Sequence, residues 1–218
     1  MGIVGFSENQ QKILRYLVKE KEGLTIEQFS KLLQISRSAI HQHMMVLERD
    51  GYVRKSVSMQ TKGRPGATFV LTEKGIHIFP KNYSLFAEML INLIKHKLGS
   101  EELIKYLQEL GASLSESKKA ALKNKSLNEQ IEMTVTIMQE LGYEAQIAKS
   151  ETGNDLMIDA YNCIFHDLAY KNQEVCELDL SLLSSLLNSE IEHVCCMAKG
   201  DGRCRFKVLP YDKSKEDD

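Results

Sequence analysis

The chain has 218 residues, enough for one large domain or two small ones, and 43% of them are hydrophobic, enough to build real cores. No apolar run approaches the roughly 18 to 20 residues that a membrane span needs, and the N-terminus lacks a basic segment followed by an apolar stretch, so a cytoplasmic location is expected. The formal charge of −2 is unevenly spread: residues 1–75 carry 12 Lys+Arg against 7 Asp+Glu, and the remainder carries 16 against 23. A basic third joined to an acidic remainder suits a polyanion-binding module attached to a domain with other work.

Residues 9–19 place Ile13, Leu14, Leu17 and Val18 on one helical face, and Gly23 closes that segment. Thr25, with Gln28 three residues later, forms a capping box for a second helix whose apolar face is Phe29, Leu32 and Leu33. Ser36 caps a third helix that runs to about Asp50, where Gly51 stops it. Two short helices joined by a tight turn at Gln34-Ile35 predict a helix-turn-helix. Residues 52–57 and 67–71 are strand-like, and Thr61-Lys62-Gly63-Arg64-Pro65-Gly66 between them is a glycine- and proline-punctuated tip. Residues 1–80 are therefore expected to form a winged-helix DNA-binding domain.

On the third helix Ile40, Met44 and Leu47 recur at i, i+4 and i+7 and make the inner face, so Arg37, Ser38, His41, Gln42 and Met45 point away. Arg and Gln can each make bidentate contacts to purine edges in a major groove that admits one helix. The N-terminal end of such a helix penetrates deepest, and Lys62 and Arg64 at the wing suit phosphates or the minor groove. Ser36, Arg37, Ser38, His41, Gln42, Lys62 and Arg64 are the candidate contacts to double-stranded DNA. The plainer alternative is a solvated polar face.

Residues 72–78 read as a short helix closed by Pro80. Residues 83–98 follow as a strongly apolar helix carrying Leu85, Phe86, Met89, Leu90, Leu93 and Ile94, more than one buried face requires. It reads either as a dimer seam or as an ordinary core helix. With helices at 101–124 and 127–141, it makes 81–142 a helical linker and dimerisation region. After Gly142 the texture changes. Strands are expected at 144–149 and 156–162 around Thr152-Gly153-Asn154-Asp155, then a helix over 168–187 broken near Lys171-Asn172. A last hairpin, 191–198 with 203–208, turns around Lys199-Gly200-Asp201-Gly202. The predicted class is α+β: an N-terminal winged helix-turn-helix, a helical linker, and a small antiparallel sheet with helices at 143–210. The charged tail at 211–218 is expected to be disordered.

All five cysteines, Cys163, Cys176, Cys195, Cys196 and Cys204, lie in the last quarter of the chain with the spacing C-x12-C-x18-C-C-x7-C. An odd number without a secretion signal argues against a disulfide framework and for metal or redox chemistry; five unrelated buried thiols are the plainer alternative. No C-x2-C knuckle is present, so ligands would come from separate elements, which suits an iron–sulfur cluster in a pocket, with zinc as the alternative. Because side chains alternate along a strand, only one of Cys195 and Cys196 can share a face with Cys204. A two-residue turn selects Cys195, a three-residue turn selects Cys196, and a one-residue slip reverses the answer. His193 is a further possible ligand. His166 lies near Cys163 in sequence, but no nucleophile–base arrangement is visible and no enzyme is expected.

The stretch from Thr25 to Gly51, followed by Gly63-Arg64-Pro65 and then Phe69-Val70-Leu71-Thr72-Glu73-Lys74-Gly75, resembles winged-helix regulators of the ArsR/DeoR-like group. Asn162-Cys163, then Val175-Cys176, then Gly200-Asp201-Gly202-Arg203-Cys204-Arg205-Phe206 resemble the Suf-operon repressor family (SufR) in order and approximate spacing. The resemblance covers most of the chain. It implies a homodimeric repressor that binds an inverted-repeat operator of iron–sulfur assembly or stress genes and carries a cluster, usually [4Fe-4S]. It implies Cys163, Cys176 and Cys204 as ligands. Cys196-Met197-Ala198-Lys199-Gly200-Asp201 is similar to the C-x-A-x-G-D segment of related small-ligand-binding domains, which favours Cys196 over Cys195 as the fourth.

Overall fold

Three capped helices and a two-stranded hairpin dominate the first of two units in the computed structural model, which describes residues 5–57, 67–149 and 156–209. The units are Met1–Lys81 and Asn82–Asp218.

In the first unit, Ser7 with Gln10 and Thr25 with Gln28 form reciprocal capping boxes for α1 (Glu8–Lys19) and α2 (Ile26–Leu33). Each box satisfies two backbone donors that a helix start leaves open. The Ser36 hydroxyl accepts the Ala39 N–H at 3.2 Å and starts α3 (Arg37–Arg49). Gln34, at φ 55°, makes the left-handed turn between α2 and α3. Strands β1 (Val53–Val57) and β2 (Ala67–Leu71) pair antiparallel from Val53↔Leu71 to Val57↔Ala67, and α4 (Glu73–His77) follows. Ile13, Leu14, Leu17 and Phe29 meet Ile40, Met44 and Leu47 in one core. Full burial of such a side chain stabilises by roughly 1.5–3 kcal/mol, so the inner face of α3 is fixed and its opposite face is left to solvent. The wing tip at 61–66, with Lys62 and Arg64, lies outside the described residues, as do the turn at 152–155 and the tail at 211–218.

The second unit begins with α5 (Tyr83–Leu98), α6 (Ser100–Leu122) and α7 (Leu127–Glu140). A four-stranded sheet of β3 (Ala145–Lys149), β4 (Leu156–Ala160), β5 (Glu190–Cys195) and β6 (Cys204–Leu209) has the order β3-β4-β6-β5, with every pair antiparallel. Between β4 and β5 run α8 (His166–Ala169), a 3-10 turn at Gln173–Val175, and α9 (Cys176–Leu187), so the expected 168–187 helix is indeed interrupted. Ile158, Ala160, Cys204, Phe206 and Val208 on the inner face of the sheet pack against Ile131, Val135 and Met138 of α7 and Leu183 and Leu187 of α9. On the opposite face the buried Asp159 accepts two hydrogen bonds from Arg205, at 2.6 and 2.7 Å, and locks β4 to β6.

Two expectations need correction. Residues 81–142 do not form a linker separate from 143–210: α6 lies along α9 and α7 against β3, so the helices and the sheet share one unit. The last hairpin does not close in a two- or three-residue turn. Strand β5 ends at Cys195, a 3-10 turn spans Met197–Lys199, and β6 starts only at Cys204. Asp201 closes this longer connection by accepting the Cys196 N–H at 2.7 Å.

No residue of α5 is buried; Phe86 is 63% exposed and Met89 62%. The ordinary core-helix reading therefore fails for its outer stripe, while Ile91 and Ile94 turn toward Leu103 and Leu107 of α6. Among the described residues no helix is long and apolar enough to cross a membrane.

Candidate metal centre and nucleic-acid interface

Four of the five cysteines converge. Cys163 follows β4 in a loop held by Asn162, which accepts the Glu144 N–H and donates to the Gly142 carbonyl at 2.6 and 2.9 Å. Cys176 is the first residue of α9. Cys196 follows β5, and Cys204 opens β6 with its sulfur accepting the Met197 N–H at 3.5 Å. The sulfurs of Cys176 and Cys196 stand 3.8 Å apart, and all five cysteines are free. Cys163, Cys176 and Cys196 share one small apolar cluster with Ala169, Val175 and Ala198. Cys196 lies near enough to Cys163, Cys176 and Cys204 to help raise each of their thiols.

A β-bulge decides between the tandem cysteines. His193 pairs with Phe206, but a register shift puts Cys195, not Val194, opposite Arg205. Two residues of β5 thus oppose one of β6, and the alternation of faces slips by one. Cys195 shares the face of Arg205, and the next residue, Cys196, is buried on the side of Cys204. Cys195 is therefore not among the converging thiols.

Burial pushes the Cys163 and Cys176 thiols up from their ordinary value and Cys204 up to about 12. Without a metal these groups are protonated, so metal uptake must release protons and strengthens as pH rises. The donor set fits a thiophilic centre: soft sulfur ligands on separate elements, in an apolar setting. Of the neighbours, the sequence offered only His193, as a further possible ligand, and passed over Asp179 and Tyr143. The carboxyl of Asp179 on α9 is buried and accepts a 2.5 Å hydrogen bond from the Tyr143 hydroxyl. His193 lies with Cys176 and Cys196, their ligand atoms all within 4.8 Å of one another. The period-two pattern Ile191, His193, Cys195 could have placed His193 on the inward face. Asp179, flanked by Leu178 and Leu180 on α9, was the corresponding signal for a buried acid.

In the first unit Ser36, Arg37, Ser38, His41 and Gln42 are all exposed on α3, together with Met45. The Ser36 hydroxyl is engaged in capping. The Arg37 guanidinium reaches Glu27 of α2 at 3.2 Å, an exposed ion pair that DNA phosphates or bases can displace cheaply. Lys55 pairs with Glu48 at 3.1 Å across a groove between α3 and the hairpin.

Fold and surface together define a winged helix of the DNA-binding kind: residues 10–90 match the family described as winged helix DNA-binding domain. The chain belongs to the family described as methanogen output domain 1, which matches residues 86–209 and so takes in the whole cysteine site. No curated protein matches the chain. Among solved structures it is similar to the S. aureus MepR–DNA complex, at 23% identity and a TM-score of 0.32, covering 63% of this chain and 80% of that one. It is similar also to a ZitR variant of Lactococcus lactis, at 19% identity and a TM-score of 0.31, covering 63% and 76%.

Proposed function

We propose that the protein is a transcriptional regulator, not an enzyme, that binds an inverted-repeat operator as a homodimer and senses iron–sulfur status or oxidants. Its winged helix reads DNA through Arg37, Ser38, His41 and Gln42, with Ser36 at the helix start and Lys62 and Arg64 from the wing. Its second unit holds an iron–sulfur cluster, [4Fe-4S], on Cys163, Cys176, Cys196 and Cys204. Iron–sulfur assembly or stress genes are the targets that the Suf-operon resemblance supports.

The observation that carries the sensing reading is the shared apolar cluster of Cys163, Cys176 and Cys196, with Cys204 beside it at the start of β6, its sulfur on the Met197 N–H. When bound, the cluster supplies an oxidant-sensitive cross-link among those segments. The chain's own residues do the rest. Cys163 ties down the loop after β4, Cys176 the start of α9, and Cys196 and Cys204 the two sides of the last connection. Releasing them changes the order of the second unit and so the population competent to bind DNA, a coupling of roughly 1–3 kcal/mol in such switches. The apolar stripe Leu85, Phe86, Met89, Leu90 and Leu93 on α5 is the surface offered to a second copy.

The test is anaerobic purification of the full chain with iron and sulfide counts, then DNA affinity of loaded and cluster-free protein on sites selected from a random duplex pool. The expected result is about four iron and four sulfide per chain and at least about a fivefold affinity difference. Cys196→Ser should lose the cluster and Cys195→Ser should keep it. A chain that takes up no iron and sulfide, or that binds DNA equally in both states, overturns the proposal.

A further inference from the structure

Cys176 and Cys196 have a third neighbour that the cluster reading does not use. The His193 ring stacks on Phe206, centroids 4.8 Å apart at 20°. Its Nε2 is shielded from solvent and has no hydrogen-bond partner. Leaving such an atom unpaired costs about 1–3 kcal/mol. Burial, reinforced by the nearby Lys199, lowers the imidazole's pKa from its ordinary value.

The three donors are spaced for a single ion. Their ligand atoms lie within 4.8 Å of one another, and the two sulfurs are 3.8 Å apart. With Zn–S near 2.3 Å, two thiolates on one tetrahedral zinc stand about 3.8 Å apart. Two thiolates on different irons of a [4Fe-4S] cluster point outward from separate metal atoms and must stand farther apart, so the sulfur positions seen here suit one ion better. Two thiolates with one imidazole is also a zinc donor set. Three protein donors leave one tetrahedral position, and a cavity of about 660 Å³ borders all three residues.

We propose that Cys176, His193 and Cys196 form a site for one zinc-like divalent ion, an alternative occupant to the cluster. Binding replaces the protons of two thiols with one metal ion and releases both to solvent; the histidine contributes its lone pair. The two occupants share Cys176 and Cys196, so each excludes the other, and Cys163 serves only the cluster. The inference stands on His193 and does not rest on the cluster reading.

The test is anaerobic titration of the reduced, metal-free full chain with Co²⁺, whose absorption reports tetrahedral thiolate ligation. One Co²⁺ per chain, displaced by Zn²⁺, is expected. His193→Phe keeps a ring on Phe206 but removes the donor, and should weaken Co²⁺ binding by at least about tenfold. His193→Cys should restore binding with stronger thiolate charge-transfer absorption, and Cys163→Ser should leave Co²⁺ affinity unchanged. Full-strength binding by His193→Phe, or loss of binding by Cys163→Ser, overturns the site. Iron and sulfide uptake by His193→Phe should equal that of the parent chain; loss there would overturn the separate role of His193. A parent chain that takes Co²⁺ through His193 yet assembles no cluster supports this site and overturns the function proposed above.

Discussion

Asp179 carries the sharpest consequence of a single side chain. Burial raises its pKa to about 6 from an ordinary 3.8, while the hydrogen bond from Tyr143 pulls the other way. Between those values the folded chain holds a proton that the unfolded chain has lost. This group's contribution to stability is therefore full below the unfolded value and falls as pH rises through about 6, by roughly 3 kcal/mol in all. Asp179→Asn keeps an acceptor for Tyr143 and cannot titrate. Urea unfolding at about pH 4 and about pH 7.5 should show a smaller difference for the variant than for the parent; equal differences would assign the slope to another group. The same carboxyl raises the thiols of Cys163 and Cys176, so its charge state is felt at the sulfurs proposed as ligands. The cysteines stood out in the sequence because their type and clustering are unusual. Asp179, Tyr143 and His193 were not singled out, or were left as alternatives, because their roles depend on which helix face and which strand register the packing selects.

At the scale of elements, local chemistry was the legible part. Thr25, Gln28 and Ser36 announced two helix starts that the backbone bears out, and the core positions of α3 followed from spacing alone. The contact between α6 and α9 was not legible. It is made at Gly111, where an added Cβ would collide with the Leu178 carbonyl and lie 2.9 Å from the Leu182 nitrogen. Gly111→Ala gains up to about 1 kcal/mol of helix propensity. It meets backbone rather than a flexible side chain, and overpacking of that kind costs about 1–3 kcal/mol. The clash should win: the urea midpoint should fall, and metal affinity with it, because Cys176 begins the displaced helix. A higher midpoint would show that α9 yields without cost.

At the scale of the molecule, α5 presents more apolar surface than one chain covers. Leu85 and Leu93 are each 54% exposed beside Phe86 and Met89. Burying such residues against a second copy yields roughly 25 cal/mol per Å², whereas a carboxylate placed there must be desolvated. Phe86→Glu with Leu90→Glu should convert a dimer to a monomer by light scattering while far-UV circular dichroism stays the same. Affinity for a two-half-site operator should fall more than affinity for a single half-site. A parent chain that is monomeric at micromolar concentration would remove α5 from that role. The charge asymmetry along the chain was legible and agrees with two units of different employment. The boundary expected at 142 is absent, because helical and strand segments of contrasting texture share one core.

The bulge in β5 makes ligand identity a property of the backbone. β5 is the edge of its sheet, where the ladder is held from one side only. Moving the extra residue beyond the tandem pair would turn Cys195 inward and Cys196 out, and the strand would still offer a sulfur to its neighbours. Doubling the cysteine thus leaves one thiol on the inner face whichever register the edge strand takes.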